Sequence, residues 1–364
     1  MPDIKSIDKN FANKEINEGL KYYNPCTNNC IKVYGLNWFN QDKRYVRFPK
    51  ESDEMIKNLA DGLYYLVEQP SGAMLAFFAC TSTLKIKVKL GHTFNMAHMA
   101  FTGQGGCDLY IGTKRENLTF FRTASYDITK KEYEFTYFTN FKKEEKLYLI
   151  NLPLYAAVEE ILVGVDEDAT IRTADNLFDK GKIVCYGTSI TQGGCASRPG
   201  ISYTNALSRR MGYEFLNYGF SGNGRGQKEV AELLASIDDV KMYILDYEAN
   251  ATLDMLKNTL DEFIRIIRNS HPYTPILVLT KIRMSIETHV KDNYLKQEKS
   301  LKYQRSIVKK WQNDGDSNIY FYDGHKLLGK YTLEATVDGC HPTDLGFMMI
   351  TDNLEKYLEK KLVN

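Results

Sequence analysis

Hydrophobic and polar positions change their period once along this chain. Up to about residue 175 apolar residues alternate with polar ones, as in Leu84-Lys85-Ile86-Lys87-Val88-Lys89-Leu90 and Tyr133-Glu134-Phe135-Thr136-Tyr137. That period belongs to strands with one buried face. Turn-forming clusters separate the runs, among them Gln69-Pro70-Ser71-Gly72 and Thr102-Gly103-Gln104-Gly105-Gly106, so an antiparallel sandwich or jelly roll is expected. From Lys182 onward short apolar runs (Ile183 to Tyr186, Met242 to Leu245, Ile276 to Leu279, Ile319 to Tyr322) alternate with longer segments of helical period. The clearest of these carries Leu253, Leu256, Leu260, Phe263, Ile264 and Ile267 on one face. A further strand over Glu214 to Tyr218 follows Gly212, a residue suited to ending a helix. About five strands and five helices then make a three-layer α/β domain with a parallel sheet. Charged and turn-forming residues between Asp175 and Lys182 place the boundary, giving a β-sandwich (jelly-roll-like) domain over 1–178 and the parallel domain over 179–364.

Length and composition agree with two folded units. The chain has 364 residues, 43% of them apolar and 26% charged, far from the signature of disorder. Lys and Arg total 47 against 46 Asp and Glu, a net charge of +1. No charge excess points to nucleic acid or an anionic membrane. The amino terminus lacks a basic start followed by an apolar stretch, and no run approaches a membrane span, so a soluble cytoplasmic protein is expected. Seven scattered cysteines, an odd number, read as reduced thiols. Cys26 and Cys30 have no second Cys or His pair nearby to complete a zinc site, so no metal is expected there.

In a doubly wound sheet, ligands sit at the carboxyl ends of the strands. After the first strand of the parallel domain comes Tyr186-Gly187-Thr188-Ser189-Ile190-Thr191-Gln192-Gly193-Gly194. Ser189 can present its hydroxyl there, although a strand-to-helix turn with a capping Ser or Thr uses the same residues. A phosphate loop would need a Lys after the second glycine, and none is present. Near the carboxyl end stands Val337-Asp338-Gly339-Cys340-His341-Pro342-Thr343-Asp344. The spacing of Asp338 and His341 lets the carboxylate accept Nδ1–H and leaves Nε2 as a base toward a serine. The loops after the second and third strands supply Gly222 and Asn250. With the Ser189 N–H, the Gly222 N–H and the Asn250 amide are candidate donors to an oxyanion. Taken singly, the glycine cluster is a turn and the Asn a loop cap.

The order Ser189, Gly222, Asn250, Asp338, His341 resembles the SGNH, or GDSL-type, hydrolase superfamily. The closer likeness is to the branch with an amino-terminal sandwich carrying a GxDLY motif, here Gly106-Cys107-Asp108-Leu109-Tyr110. YGTSITQGGCASRPGISY and EATVDGCHPTDLGF look like that branch's first and last blocks, so the resemblance covers nearly the whole chain. Two departures stand out: Thr188 where the wider family has Asp, and Ala249-Asn250 in place of Gly-x-Asn-Asp.

The resemblance implies a flavodoxin-like hydrolase domain and a serine esterase without metal or organic cofactor. It would act on short, commonly acetyl, esters of carbohydrates or other small alcohols. Ser189 would be the nucleophile, His341 the base and Asp338 its orienting acid. Acyl transfer to an alcohol by the same triad is an alternative, and a catalytically silent carbohydrate-binding protein is another. The expected partner is a small acyl ester such as an acetylated sugar, with neither nucleic acid nor membrane, and a homo-oligomer is compatible with the sequence.

Arg198 could reach a substrate, or serve as a solvated loop residue or an ion pair to the sandwich. Cys195 and Cys340 read as packing residues. His92, His98, His271, His289 and His325 have no carboxylate at catalytic spacing and read as structural. Asp108 and Tyr110 are expected to fix a turn of the sandwich, and the sandwich itself to narrow the site toward small acyl groups.

Overall fold

A computed structural model describes residues 7–8, 19–60 and 62–362. The strands of the amino-terminal part are β1 (Leu20–Tyr23), β2 (Lys32–Tyr34), β3 (Met74–Cys80), β4 (Leu84–Thr93), β5 (Asp108–Gly112), β6 (Thr119–Thr123), β7 (Glu132–Phe138), β8 (Glu145–Asn151), β9 (Ala156–Asp166) and β10 (Thr170–Thr173). They form two antiparallel sheets, β1-β9-β4-β7 and β10-β3-β8-β5-β6, with β2 also paired to β3. The alternating run in β4 does what its period requires: Leu84, Ile86, Val88 and Leu90 are at most 2% exposed and pack against Phe77, Tyr148 and Ile150 of the facing sheet. Lys87, on the other face, pairs with Glu134 of β7 at 2.9 Å.

The second part is parallel. β11 (Lys182–Gly187), β12 (Glu214–Gly219), β13 (Val240–Asp246), β14 (Ile276–Leu279) and β15 (Ile319–Tyr322) lie in the order β12-β11-β13-β14-β15. This is the flavodoxin-like arrangement, in which the order reverses at the first strand and leaves a crevice at its carboxyl end. The helix Leu253–Ser270 lays Leu256, Leu260, Phe263, Ile264 and Ile267 onto the sheet, each at most 1% exposed. The expected architecture, a parallel α/β domain preceded by an antiparallel sandwich, is the observed one.

One stretch departs from the simple division of the chain. Residues 50–67 carry two short helices, Asp53–Leu59 and Leu63–Val67, and not strands. Phe48, Ile56, Leu63, Leu66 and Val67 are buried with Tyr186, Leu216, Tyr218 and Phe220 of the parallel domain. The division by strands falls between Thr173 and Lys182, but the hydrophobic cores do not divide there. Arg47 ties this stretch down: fully buried, it donates to the carbonyls of Asn217, Gly219 and Leu66 and lies 4.3 Å from the Phe220 ring centroid.

The two parts meet across a polar seam organised by the GxDLY motif. Asp108 opens β5 with no exposed surface. Its carboxylate accepts from Asn151 Nδ2 at 2.7 Å, from the Gly200 N–H and from Arg198 Nη1 at 2.6 Å. The Tyr110 hydroxyl meets Arg198 and Arg209 at 2.7 and 2.9 Å. Gly200 is required here, because a Cβ would lie 2.7 Å from Asp108 Oδ2. The motif therefore joins the two domains, where a turn of the sandwich had been expected. Its carboxylate is desolvated and must be fully hydrogen-bonded, and residues 198–200 of the other domain meet that demand.

Candidate active site

Ser189 follows β11 at the crevice, as the first residue of the single-turn helix Ser189–Gln192. Thr188 caps that turn, its hydroxyl accepting the Ile190 N–H at 3.3 Å. The capping role open to this segment is thus taken by Thr188, which leaves the Ser189 hydroxyl free for other work. Gly219 lets the turn sit against β12, since a Cβ there would lie 2.1 Å from the Gln192 nitrogen.

The loop Thr336 to Pro342 arrives from the far end of the chain. It is closed by a bridge between those two residues and by Val337 N–H donating to the His341 carbonyl at 2.8 Å. Inside it Asp338 Oδ1 accepts the backbone N–H groups of Cys340 and His341 at 3.0 and 2.7 Å, while Oδ2 lies 2.7 Å from His341 Nδ1. His341 Nε2 lies 2.8 Å from Ser189 Oγ. An ionised carboxylate only accepts, so Nδ1 carries the proton and Nε2 presents its lone pair to the serine hydroxyl. Burial works against the charge on Asp338, but the hydrogen bonds from His341 and Cys340 outweigh it and hold its pKa below the ordinary value. Ser189 is 8% exposed, whereas the Asp338 and His341 side chains are 35% and 20% exposed, so the group opens to water on the acid's side.

The other residues singled out in the sequence fall in three positions. Gly222 is exposed with φ at +67°, and a side chain there would meet nothing within 4 Å. Among the described residues no acceptor holds its N–H or that of Ser189. Asn250 ends a short 3-10 turn after β13 and donates one amide hydrogen to the Phe220 carbonyl at 3.1 Å, which ties it to the Gly222 loop and leaves a second hydrogen. Arg198 is not brought to the serine. Its guanidinium is on Asp108 and stacks 3.8 Å from the Phe120 centroid, so the ion pair to the sandwich replaces the substrate contact considered above.

Several residues that border the site were not singled out. Gln192, fully buried, accepts the Ser221 N–H and donates to Gln69 Oε1 and the Leu154 carbonyl, fixing the Gly222 loop relative to the serine turn. The Tyr155 hydroxyl of the sandwich donates to the Ser189 carbonyl at 3.3 Å. His98, read as structural, stands with Nε2 3.9 Å from Asp338 Oδ2 and its ring 5.6 Å from that of His341. Only Gln192 had a local signal, its place in the serine block.

A doubly wound sheet with a Ser-His-Asp chain of hydrogen bonds at its switch point defines the class, a hydrolase of the esterase kind. The chain belongs to the GDSL-like lipase/acylhydrolase family, whose model matches residues 180–359, and a model for the N-terminus of SGNH-hydrolase-type esterases matches residues 20–171. Among solved structures, a GDSL-like lipase from Bacteroides ovatus ATCC 8483 is 30% identical over 94% of this chain and 98% of its own, with a TM-score of 0.85. The salicylyl-acyltransferase of a tetracycline biosynthetic pathway shares the fold at 18% identity, with 96% and 99% of the two chains covered and a TM-score of 0.77. An acetyl xylan esterase from the rumen bacterium Butyrivibrio proteoclasticus shares it at 14%, with 94% and 99% covered and a TM-score of 0.56. No curated protein matches the chain. Among the described residues no helix is long and apolar enough to cross a membrane.

Proposed function

We propose that this protein is a serine esterase that removes short acyl groups, acetyl above all, from carbohydrates or other small alcohols. The observation that carries the reading is the continuous hydrogen-bonded path from Ser189 Oγ through His341 to Asp338. As the serine oxygen attacks the ester carbonyl, its proton passes to Nε2, and the imidazolium formed is stabilised by Asp338. The carbonyl oxygen becomes an oxyanion facing the N–H groups of Ser189 and Gly222 and the free hydrogen of Asn250. Collapse expels the alcohol, which takes the proton from Nε2. Water then attacks the acyl-enzyme, with His341 again accepting a proton and returning it to Ser189. The thiols beside the site do not compete as nucleophiles: burial pushes Cys195 up to about 12 and Cys340 up to about 11, so neither is a thiolate at neutral pH.

Exposure of Asp338 and His341 supports hydrolysis over transfer to an alcohol, since transfer needs water excluded from the second step. The preference for small acetylated alcohols rests on the family resemblance and on a shared fold with carbohydrate esterases. The test is hydrolysis of p-nitrophenyl esters of increasing acyl length by wild type, Ser189→Ala and His341→Ala. Turnover greatest for acetate and abolished by either change is expected. Equal turnover in folded Ser189→Ala protein would overturn the reading.

A further inference from the structure

His341 has neighbours that ester hydrolysis does not use. His98 reaches the site from the sandwich, on the stretch between β4 and the helix Phe101–Gln104. Cys195 stands just beyond the serine turn with φ at +74° and is 7% exposed, while the His98 side chain is 42% exposed. One ligand atom from each of His98, Cys195 and His341 lies within 4.8 Å of the other two. We propose that these three side chains bind a zinc-like divalent cation, and that the bound ion switches the enzyme off by occupying His341 Nε2.

The donor set suits such an ion, two imidazoles and one sulfur, with a fourth position left for water. Zinc holds these atoms about 2.0–2.3 Å away, so its two nitrogens and one sulfur stand roughly 3.3–3.6 Å apart, and the three side chains, His98 the most exposed of them, draw together by up to about 1.5 Å to close on the ion. Asp338 already accepts Nδ1–H from His341, the carboxylate–histidine pairing that orients a metal-bound imidazole and raises its basicity. The hydrated cation gives up all of its waters but the one that keeps the fourth position. The Cys195 thiol gives its proton to solvent as sulfur binds, and the two imidazoles give neutral lone pairs. The hydrogen bond between Ser189 and Nε2 breaks, leaving the serine protonated with no base. No redox change occurs, and because a proton is displaced, affinity rises with pH.

Loss of hydrolysis as the consequence rests on the esterase reading, whereas ion binding does not. The test therefore reads both, on the full chain. Titration with Co2+ is expected to give one bound equivalent with a near-ultraviolet thiolate-to-cobalt band, which Zn2+ displaces. The same Ser189→Ala titration should give the same band, independent of any activity. In wild type, Zn2+ should abolish ester hydrolysis and EDTA restore it. His98→Ala and Cys195→Ser should hydrolyse like wild type, lose the band and need at least roughly ten-fold more Zn2+ for inhibition. Cys340→Ser should keep both responses. Cobalt bound without a thiolate band, a band lost only in Cys340→Ser, or unchanged inhibition of folded His98→Ala would each overturn the proposal. Failure of the esterase reading alone would show as no basal hydrolysis with the band intact.

Discussion

The seam between the domains and the rim above β11 are each organised by one aspartate. Asp108 has no exposed surface, and its oxygens hold Arg198, Asn151 and the Gly200 N–H. The Asp338 side chain is 35% exposed and holds one loop and one imidazole. In the seam a charge is desolvated and wholly matched, so nothing is left for a substrate and removal of either partner leaves a buried charge alone. On the rim water bears part of the cost of the charge, and the carboxylate can hold a base whose other nitrogen is free to react. Burial separates an aspartate that joins domains from one that the proposed reaction assigns to chemistry.

Substitution tests that separation. Asp338→Asn cannot fix the Nδ1–H tautomer, and kcat should fall about 10⁴-fold with a melting temperature close to wild type. A large loss of stability would mean that Asp338 is as structural as Asp108. Asp108→Ala should do the reverse. Stranding Arg198 is expected to destabilise the protein by about 3–5 kcal/mol, read by urea denaturation, while the folded fraction keeps its kcat. An activity loss in fully folded protein would place Asp108 in the chemistry.

The sequence made the rim more legible than the seam. Ser189 sits at a strand end and Asp338 and His341 share one tight loop, so spacing alone suggested how acid and base could meet. The five parallel strands were legible because each is a short apolar run between helical periods. The seam had no such signal, because Asp108, Asn151 and the stretch that carries Arg198 and Arg209 lie far apart in the sequence and are joined only by folding. His98 was missed for the same reason, lying beside Asp338 only once the sandwich is docked. Residues 50–67 were read into the sandwich since two short helices leave too little periodicity to set against the strands around them.

Asn250 refines the rim side of the comparison. Its amide is already tied to Phe220, so truncation removes the proposed oxyanion donor and a loop tie together. Asn250→Ala should lower kcat about 10²–10³-fold, with a smaller effect on KM, in assays of p-nitrophenyl acetate. Unchanged kcat would leave the oxyanion to the two backbone N–H groups.

A third aspartate sharpens the contrast between buried and exposed carboxylates. Asp246 ends β13 beneath the serine turn, buried like Asp108, but its side-chain partners are the neutral hydroxyls of Thr191 at 3.0 Å and Tyr203 at 3.4 Å. Burial pushes its pKa up to about 8, with the nearby Glu248 adding to the rise and the two hydroxyls opposing it. At neutral pH it is thus mostly the protonated acid. A folded-state pKa above the unfolded value near 3.8 means that the native state binds the extra proton. Its contribution to stability is present in full below about pH 4 and is lost as pH rises toward about 8. Asp246→Asn has no proton to lose. Urea denaturation at pH 5 and pH 8 should show wild type losing more stability between the two than the variant does, by at least about 1 kcal/mol. Equal losses would mean that Asp246 is ionised in the folded protein, and that a buried aspartate here keeps its charge without a cation such as the one Arg198 gives Asp108.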